Sequence, residues 1–439
     1  MTGDAFRLVL LNLLFLAAGC GVTGALGWWR GRSILRVAGL SYLVGVASFG
    51  VTAQFLYVCG ASLATWQVIV VCAVLAAGAL RPRGISAAPA PPRTRWGLAA
   101  IPVVAMLALL AVDLWYQPLW AYDAWTFWTP KAHALWALGG LDAGWFTQAN
   151  LTSPDYPILL PAVEAAGFHF TGYETSLLDL QSLVFFAAFL RAVYELTVAD
   201  VMPAVLWAVL AMLAVAPSVT DQLAAAEADV PVAVFFATAG LCGGRWLRDG
   251  HPRALATAGV LAAGAAATKV EGLAFAIALF AVLVAFAWRL RGPSVWSPLV
   301  VGAAATVAGI VPWRIWLSAH HVANQASASR VTGAGFLLHH LVRVPEAAAY
   351  MFAKMVDPRA WLFVVPLFVF ACVVASRHGA RRLVVYACAT GVLAFAGLVM
   401  AYWSTRLGFD FQLRTSARRV VTGIVLFCAA ATPLLAPRA

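Results

Sequence analysis

Four stretches of this 439-residue chain carry ionisable residues where the surrounding sequence is otherwise apolar. The first, YDAWTFWTPKAH, spans 122–133 and sets Asp123, Lys131 and His133 among Trp120, Tyr122, Trp125, Phe127 and Trp128. A carboxyl walled by aromatic rings loses water, which raises its pKa toward the range useful to a general base. The same ring density also describes an aromatic belt at a membrane surface, with Asp123 merely solvated. The second stretch, EADVP, puts Glu227 and Asp229 at the start of an apolar run. The helix macrodipole favours acids there. The pair is equally suited to orienting a hydroxyl or, with Asp123, to holding a divalent metal. In the third, ATKVEG, Lys269 and Glu271 interrupt a long apolar stretch. Charges at membrane depth are expensive and mark functional sites by default, although these two also have each other as partners. The fourth group is basic: Arg314 in VPWRIW, and Arg414, Arg418 and Arg419 in LRTSARRVV. A guanidinium suits a phosphate, and so does the compact charge of a lysine. The chain has only three lysines, Lys131, Lys269 and Lys354. The pairs His320–His321 and His339–His340 are poor chelates, because adjacent side chains on a helix point in different directions.

The elements that position these residues are membrane helices. Apolar residues make up 63% of the chain, charged ones only 11%, and mean hydropathy is +0.87. A soluble domain carries about 25% charged residues, so a soluble globular fold is excluded. About thirteen segments approach the roughly 20 residues that cross a bilayer. They lie near 8–27, 37–58, 63–80, 97–115, 175–198, 203–217, 230–247, 254–269, 270–288, 294–317, 360–376, 382–403 and 419–436. The expectation is an all-α polytopic membrane protein. Residues 1–80 form three N-terminal helices, 81–96 a Pro/Ala/Arg-rich linker, and 97–439 a main helical module. Seven cysteines, none in CxxC spacing, indicate neither a disulfide framework nor a thiolate metal site.

The formal charge of +11 is no nucleic-acid signal, because the charges sort by side of the membrane. Alternate loops at 28–36, 81–95, 245–253, 289–292 and 376–382, with Arg438, contain 16 arginines and one acid, Asp249. Cytoplasmic loops are enriched in this way. The expected orientation in a plasma membrane therefore has the N-terminus outside and the C-terminus inside. Segments 116–174, 218–229, 318–359 and 404–418 are then the extracytoplasmic loops, and they hold Asp123, Lys131, His133, Glu227, Asp229, Arg414 and Arg418.

An outer-face cavity with a desolvated carboxylate, an acidic pair and basic residues resembles the GT-C superfamily of membrane glycosyltransferases. These enzymes use polyprenyl-phosphate sugars, as the protein O-mannosyltransferases and aminoarabinose transferases do. The likeness rests on the order of Asp123, the EADVP element, GRWLRDGHPR, AAATKVEG, PWRIW and a closing LRTSARRVV that is similar to a TSxxR element, over 97–436. In two respects the chain departs from that pattern: Ala124 follows Asp123 where members often have a second acid, and residues 1–80 contribute three helices ahead of the first large loop, where members typically have one. The resemblance implies an inverting transfer to a glycan, lipid or protein acceptor on the outer face. Asp123 is then the base, Glu227 and Asp229 position the acceptor or a divalent metal, and Lys131, Lys269, Arg314 and Arg418 bind the donor phosphate. Tyr122, Trp125, Trp128, His133 and Glu271 line the cavity. The competing expectation is a transporter or lipid flippase that uses intramembrane charges such as Lys269 and Glu271.

Overall fold

The computed structural model describes residues 2–29, 31–80, 98–148, 151–290, 293–323, 333–406 and 408–436. The expected linker at 81–96 lies outside these residues. All regular elements among the described residues are helices. Before the first long connection come α1 (Thr2–Ala25), α2 (Ala38–Val58), α3 (Thr65–Ala77) and α4 (Ile101–Tyr116). Within it lie α5 (Thr129–Ala137), α6 (Ala143–Phe146) and α7 (Leu159–Thr171). Then follow α8 (Ser176–Thr197), α9 (Pro203–Val215), α10 (Pro217–Leu223), α11 (Asp229–Asp249), α12 (Pro252–Thr268), α13 (Val270–Leu290) and α14 (Pro293–Ala319). The longer helices of the C-terminal part are Arg343–Val356, Val364–Arg377, Arg381–Trp403, Phe409–Val420 and Thr422–Leu435.

All thirteen expected segments are largely helical, but among the described residues only nine helices are long and apolar enough to cross a membrane. They are α1, α2, α4, α8, α11, α13, α14, Arg381–Trp403 and the run Phe409–Leu435. A tenth span results if α9 and α10, bent by 52°, are taken together. Among the described residues the helices thus account for nine or ten of the thirteen expected spans. The remaining three helices are short, with 13 residues in α3, 17 in α12 and 14 in Val364–Arg377. The sequence punctuates these elements locally. Pro203, Pro217 and Pro252 each open a helix, where a missing N–H costs nothing. Gly250 closes α11 in the left-handed conformation that a side chain resists.

Burial sorts the helices into centre and rim. In α11, 89% of the apolar window is buried, against 22% in α4 and α14. The exposed faces of those two carry Ile101, Leu109, Val112, Val300, Val307 and Val311. Contiguous apolar surface of that extent is stable against lipid, not water. The chain is thus a multi-pass membrane protein. Its three N-terminal helices share the main core: Tyr42, Leu43, Phe49 and Tyr57 of α2 and Phe15 of α1 belong to the same buried cluster as Phe235 of α11 and Ala262 of α12. Helices approach closely where small residues face each other, as at Gly259 of α12, where a Cβ would lie 2.2 Å from the Cα of Gly302.

One end of the bundle is held by Arg245, which bonds Asp200 and reaches Asp249 at 2.5 Å, with Arg248 3.6 Å from Asp200. The opposite end, where α4 finishes, α11 begins and α12 turns into α13, carries the other charged cluster.

Candidate functional site

α12 and α13 fold back on each other about a single extended residue, Lys269 (φ −151°, ψ 157°). The turn is tight because residue 272 is glycine: a Cβ there would meet the carbonyl oxygen of Ala265 at 1.9 Å. This places the Lys269 ammonium 2.8 Å from Asp229 in the first turn of α11. Asp229 lies beside Glu227, close enough that each bears on the charge of the other. Glu227 follows Ala226, which holds a left-handed backbone (φ 47°) at a cost of about 1–2 kcal/mol for a residue with a Cβ. Strain of this kind persists where the surroundings over-determine it. Asp123 enters from the other side, at the head of a π-helical turn, Ala124–Trp128. Such turns are frequent at functional sites.

The residue that joins these parts is Arg419. Its Nη1 donates to Asp123 Oδ2 at 2.7 Å and also to Glu227 Oε2. Arg419 lies on Phe409–Val420, an amphipathic helix whose buried face is Leu413, Ala417 and Val420. Asp123, Glu227, Asp229, Arg419 and Lys269 thus form one chain of charges contributed by four separate parts of the sequence.

The electrostatics follow from burial. Glu227 and Asp229 are buried, whereas the side chain of Asp123 keeps 19% of its exposure and that of Arg419 27%. Burial, with Asp229 and then Asp123 beside it, pushes Glu227 up to about 7 against the pull of Arg419. Burial alone would strip the proton from Lys269, but Asp229, Glu271 and Tyr156 outweigh it and hold the ammonium above the usual lysine range. With Glu227 ionised three carboxylates face the two cations Arg419 and Lys269, and one proton on Glu227 would make the cluster neutral.

The other sequence-named residues fall elsewhere. Lys131 is fully buried, donates to the Ser153 carbonyl at 2.5 Å and sits 5.8 Å from the ring centroids of Trp128 and Tyr156. Burial pulls its pKa down to about 7 against the attraction of Asp155. Arg314 is 3.9 Å from the buried Asp155, whose carbonyl accepts from Trp313 Nε1 at 3.2 Å. Lys131 and Asp155 form a buried knot beside the cluster, enclosed by the segment 151–158, with the partly exposed Arg314 at its edge. Tyr156 links the two, stacking on Phe127 at 6.5 Å and adding to the field on Lys269. Arg418 is exposed and pairs with the exposed Asp221 at 3.1 Å, away from the carboxylates that Arg419 meets. Tyr122 and Trp125 are exposed, Trp128 is buried, and His133 packs edge-on to Tyr173 at 4.6 Å on the surface. Glu271 lies close enough to Lys269 and Tyr402 to affect both.

The donor set does not fit a divalent metal. Asp123 and Asp229 each already face a cation, and among the described residues no three His, Cys, Asp or Glu side chains are placed to hold a metal ion. Sequence reasoning missed Arg419 as the central cation, and also Asp155 and Tyr156. For Arg419 a signal existed, since it is the terminal residue of the TSxxR spacing. For Asp155, between Pro154 and Pro157, no spacing pointed inward. No protein family, curated protein or solved structure matches this chain.

Proposed function

We propose that this protein is a membrane glycosyltransferase that moves a sugar from a polyprenyl-phosphate donor to a hydroxyl of a glycan, lipid or protein acceptor. The observation that carries the reading is the Asp123–Arg419 pair at one end of an apolar helical bundle. It joins a carboxylate and a guanidinium that are both partly open to a substrate, in a site otherwise closed. Asp123 takes the acceptor proton as the oxygen attacks the anomeric carbon from the face opposite the phosphate. The C–O bond to phosphate breaks, and the configuration inverts. Arg419, backed by Lys269, offsets the charge that develops on the departing polyprenyl phosphate. Glu227 and Asp229, both buried, hold the two cations in place and do not meet the acceptor. The donor's tail and the lipid bilayer occupy the apolar rim.

The test is transfer from radiolabelled polyprenyl-phosphate sugars to a membrane lipid and glycan extract, by wild type and by Asp123→Asn. Transfer that a folded Asp123→Asn variant loses by about 10²–10⁴-fold supports the class and the base together. Transfer that survives the substitution removes Asp123 from that role.

A second reading, a transporter coupled to protons, has one observation in its favour. Glu164 of α7 and Asp179 of α8 are buried together, and three of their oxygens have no hydrogen-bond partner among the described residues. Burial and the Asp179 charge hold Glu164 well above the usual carboxyl range. Turnover of a polyprenyl-phosphate sugar in detergent, with no gradient present, counts against this reading.

A further inference from the structure

Arg419 is already engaged: one nitrogen, Nη1, serves both Asp123 and Glu227. An anion that arrives at this guanidinium therefore competes with two carboxyl groups, and the outcome depends on whether those groups are charged. Asp123 is partly exposed and can turn toward water. Glu227 is buried, and its other neighbours leave it little freedom. Those neighbours are Asp229 on α11, Arg419 on Phe409–Val420 and Asp123 on the π-turn. Behind Asp229 stand Lys269 and Glu271 at the α12–α13 turn and Tyr156 on the segment 151–158, with Tyr402 close by. No cation other than Arg419 bonds Glu227 among the described residues, because Lys269 is committed to Asp229.

We propose that binding of a phosphodiester anion at Arg419 draws one proton from solvent onto Glu227, so that the site takes up a proton as it takes up its anionic ligand. This rests on the reading that Arg419 receives the donor phosphate. The physical reason is charge balance. Adding one negative charge to a closed cluster with Glu227 ionised leaves four anions against two cations. Protonating Glu227 removes one of these anions and weakens its competition for the guanidinium. Coupling of this kind is reciprocal: the anion favours the proton and the proton favours the anion. Glu227 is thus a positioning residue that sets the affinity of Arg419.

The test is titration calorimetry of the full chain in detergent with a short-chain dialkyl phosphate, whose own ionisation lies far below the working range. Heats in two buffers of different ionisation enthalpy give the number of protons taken up. The expected result is uptake that grows toward one proton per ligand as pH rises from about 6.5 to 8.5, with affinity falling by up to about tenfold per pH unit above pH 7. Glu227→Gln keeps an acceptor for Arg419 and carries no charge. It is expected to bind with no uptake and with flat affinity across that range, while Asp123→Asn retains the uptake. Absence of binding, binding by wild type without uptake, or uptake that survives Glu227→Gln overturns the proposal. If Glu227→Gln does not fold, the wild-type and Asp123→Asn titrations still decide it. No glycosyl transfer is read, so a failure here is distinct from a failure of the transferase assay.

Discussion

Arg418 and Arg419 are adjacent in sequence and opposite in circumstance, and replacing each by alanine tests the architecture of the site. Arg419→Ala removes the guanidinium that bonds Asp123 at 2.7 Å and Glu227, leaving three carboxyl groups with Lys269 as their nearest cation. Removing one partner of a buried pair costs about 3–5 kcal/mol, because the other charge stays buried and unpaired. Here the side chains of Arg419 and Asp123 keep 27% and 19% of their exposure, so water softens part of the loss. The expected cost is about 2–4 kcal/mol. Arg418→Ala breaks a pair whose members are 44% and 62% exposed. Exposed pairs contribute about 0–1 kcal/mol. The assay is reversible unfolding in mixed micelles for wild type, both single variants, Glu227→Gln and the Arg419→Ala/Glu227→Gln double variant. A neutral residue at 227 has less need of the guanidinium, so the double variant is expected to recover about 1–2 kcal/mol relative to additivity. Equal costs for Arg418→Ala and Arg419→Ala would refute the inward placement of Arg419 and the charge cluster built on it.

Three further outcomes are expected. Gly272→Ala drives a Cβ into the Ala265 carbonyl at the α12–α13 turn and destabilises by about 1–3 kcal/mol, whereas Gly167→Ala, with open space at that point on α7, is neutral or mildly stabilising by up to about 1 kcal/mol; unfolding midpoints compare the two. Gln54 of α2 accepts from the Ile158 N–H at 3.3 Å and donates to the Gly309 carbonyl, so Gln54→Ala should cost about 1–3 kcal/mol and speed hydrogen exchange at Ile158 more than at amides of α11. Lys131, pulled from 10.5 to about 7 in the folded chain, binds fewer protons folded than unfolded between those values, so its contribution to stability rises with pH across that window. Lys131→Met should flatten that rise in a series of unfolding midpoints.

Much of this architecture was legible in the sequence because lipid imposes a simple rule. A backbone inside a bilayer must satisfy its own hydrogen bonds, so long apolar runs become helices. The same rule made the ionisable residues conspicuous, and Asp123, Glu227, Asp229 and Lys269 do converge. Their convergence follows from helix order: the end of α4, the start of α11 and the α12–α13 turn all fall at one end of the bundle. The span count was less legible. Hydropathy registers α3, α12 and Val364–Arg377 as apolar, but helices of 13, 17 and 14 residues fall short of the roughly 20 that cross a bilayer.

What tertiary structure alone decided is which charge meets which. Neighbouring residues on a helix differ by about 100° around its axis. With Leu413, Ala417 and Val420 packed inward, that rotation separates Arg419, which meets the carboxylates, from Arg418, which meets Asp221. Lys131 makes the same point. By type it is a point charge suited to a phosphate. Its burial depends on the segment 151–158, which is held by Gln54 from α2 and by Trp313 of α14. Composition and periodicity describe each helix against its solvent, and so they fix what must be buried. The partner of a buried charge is set by the rotation and register of helices distant in sequence, and only their packing determines those.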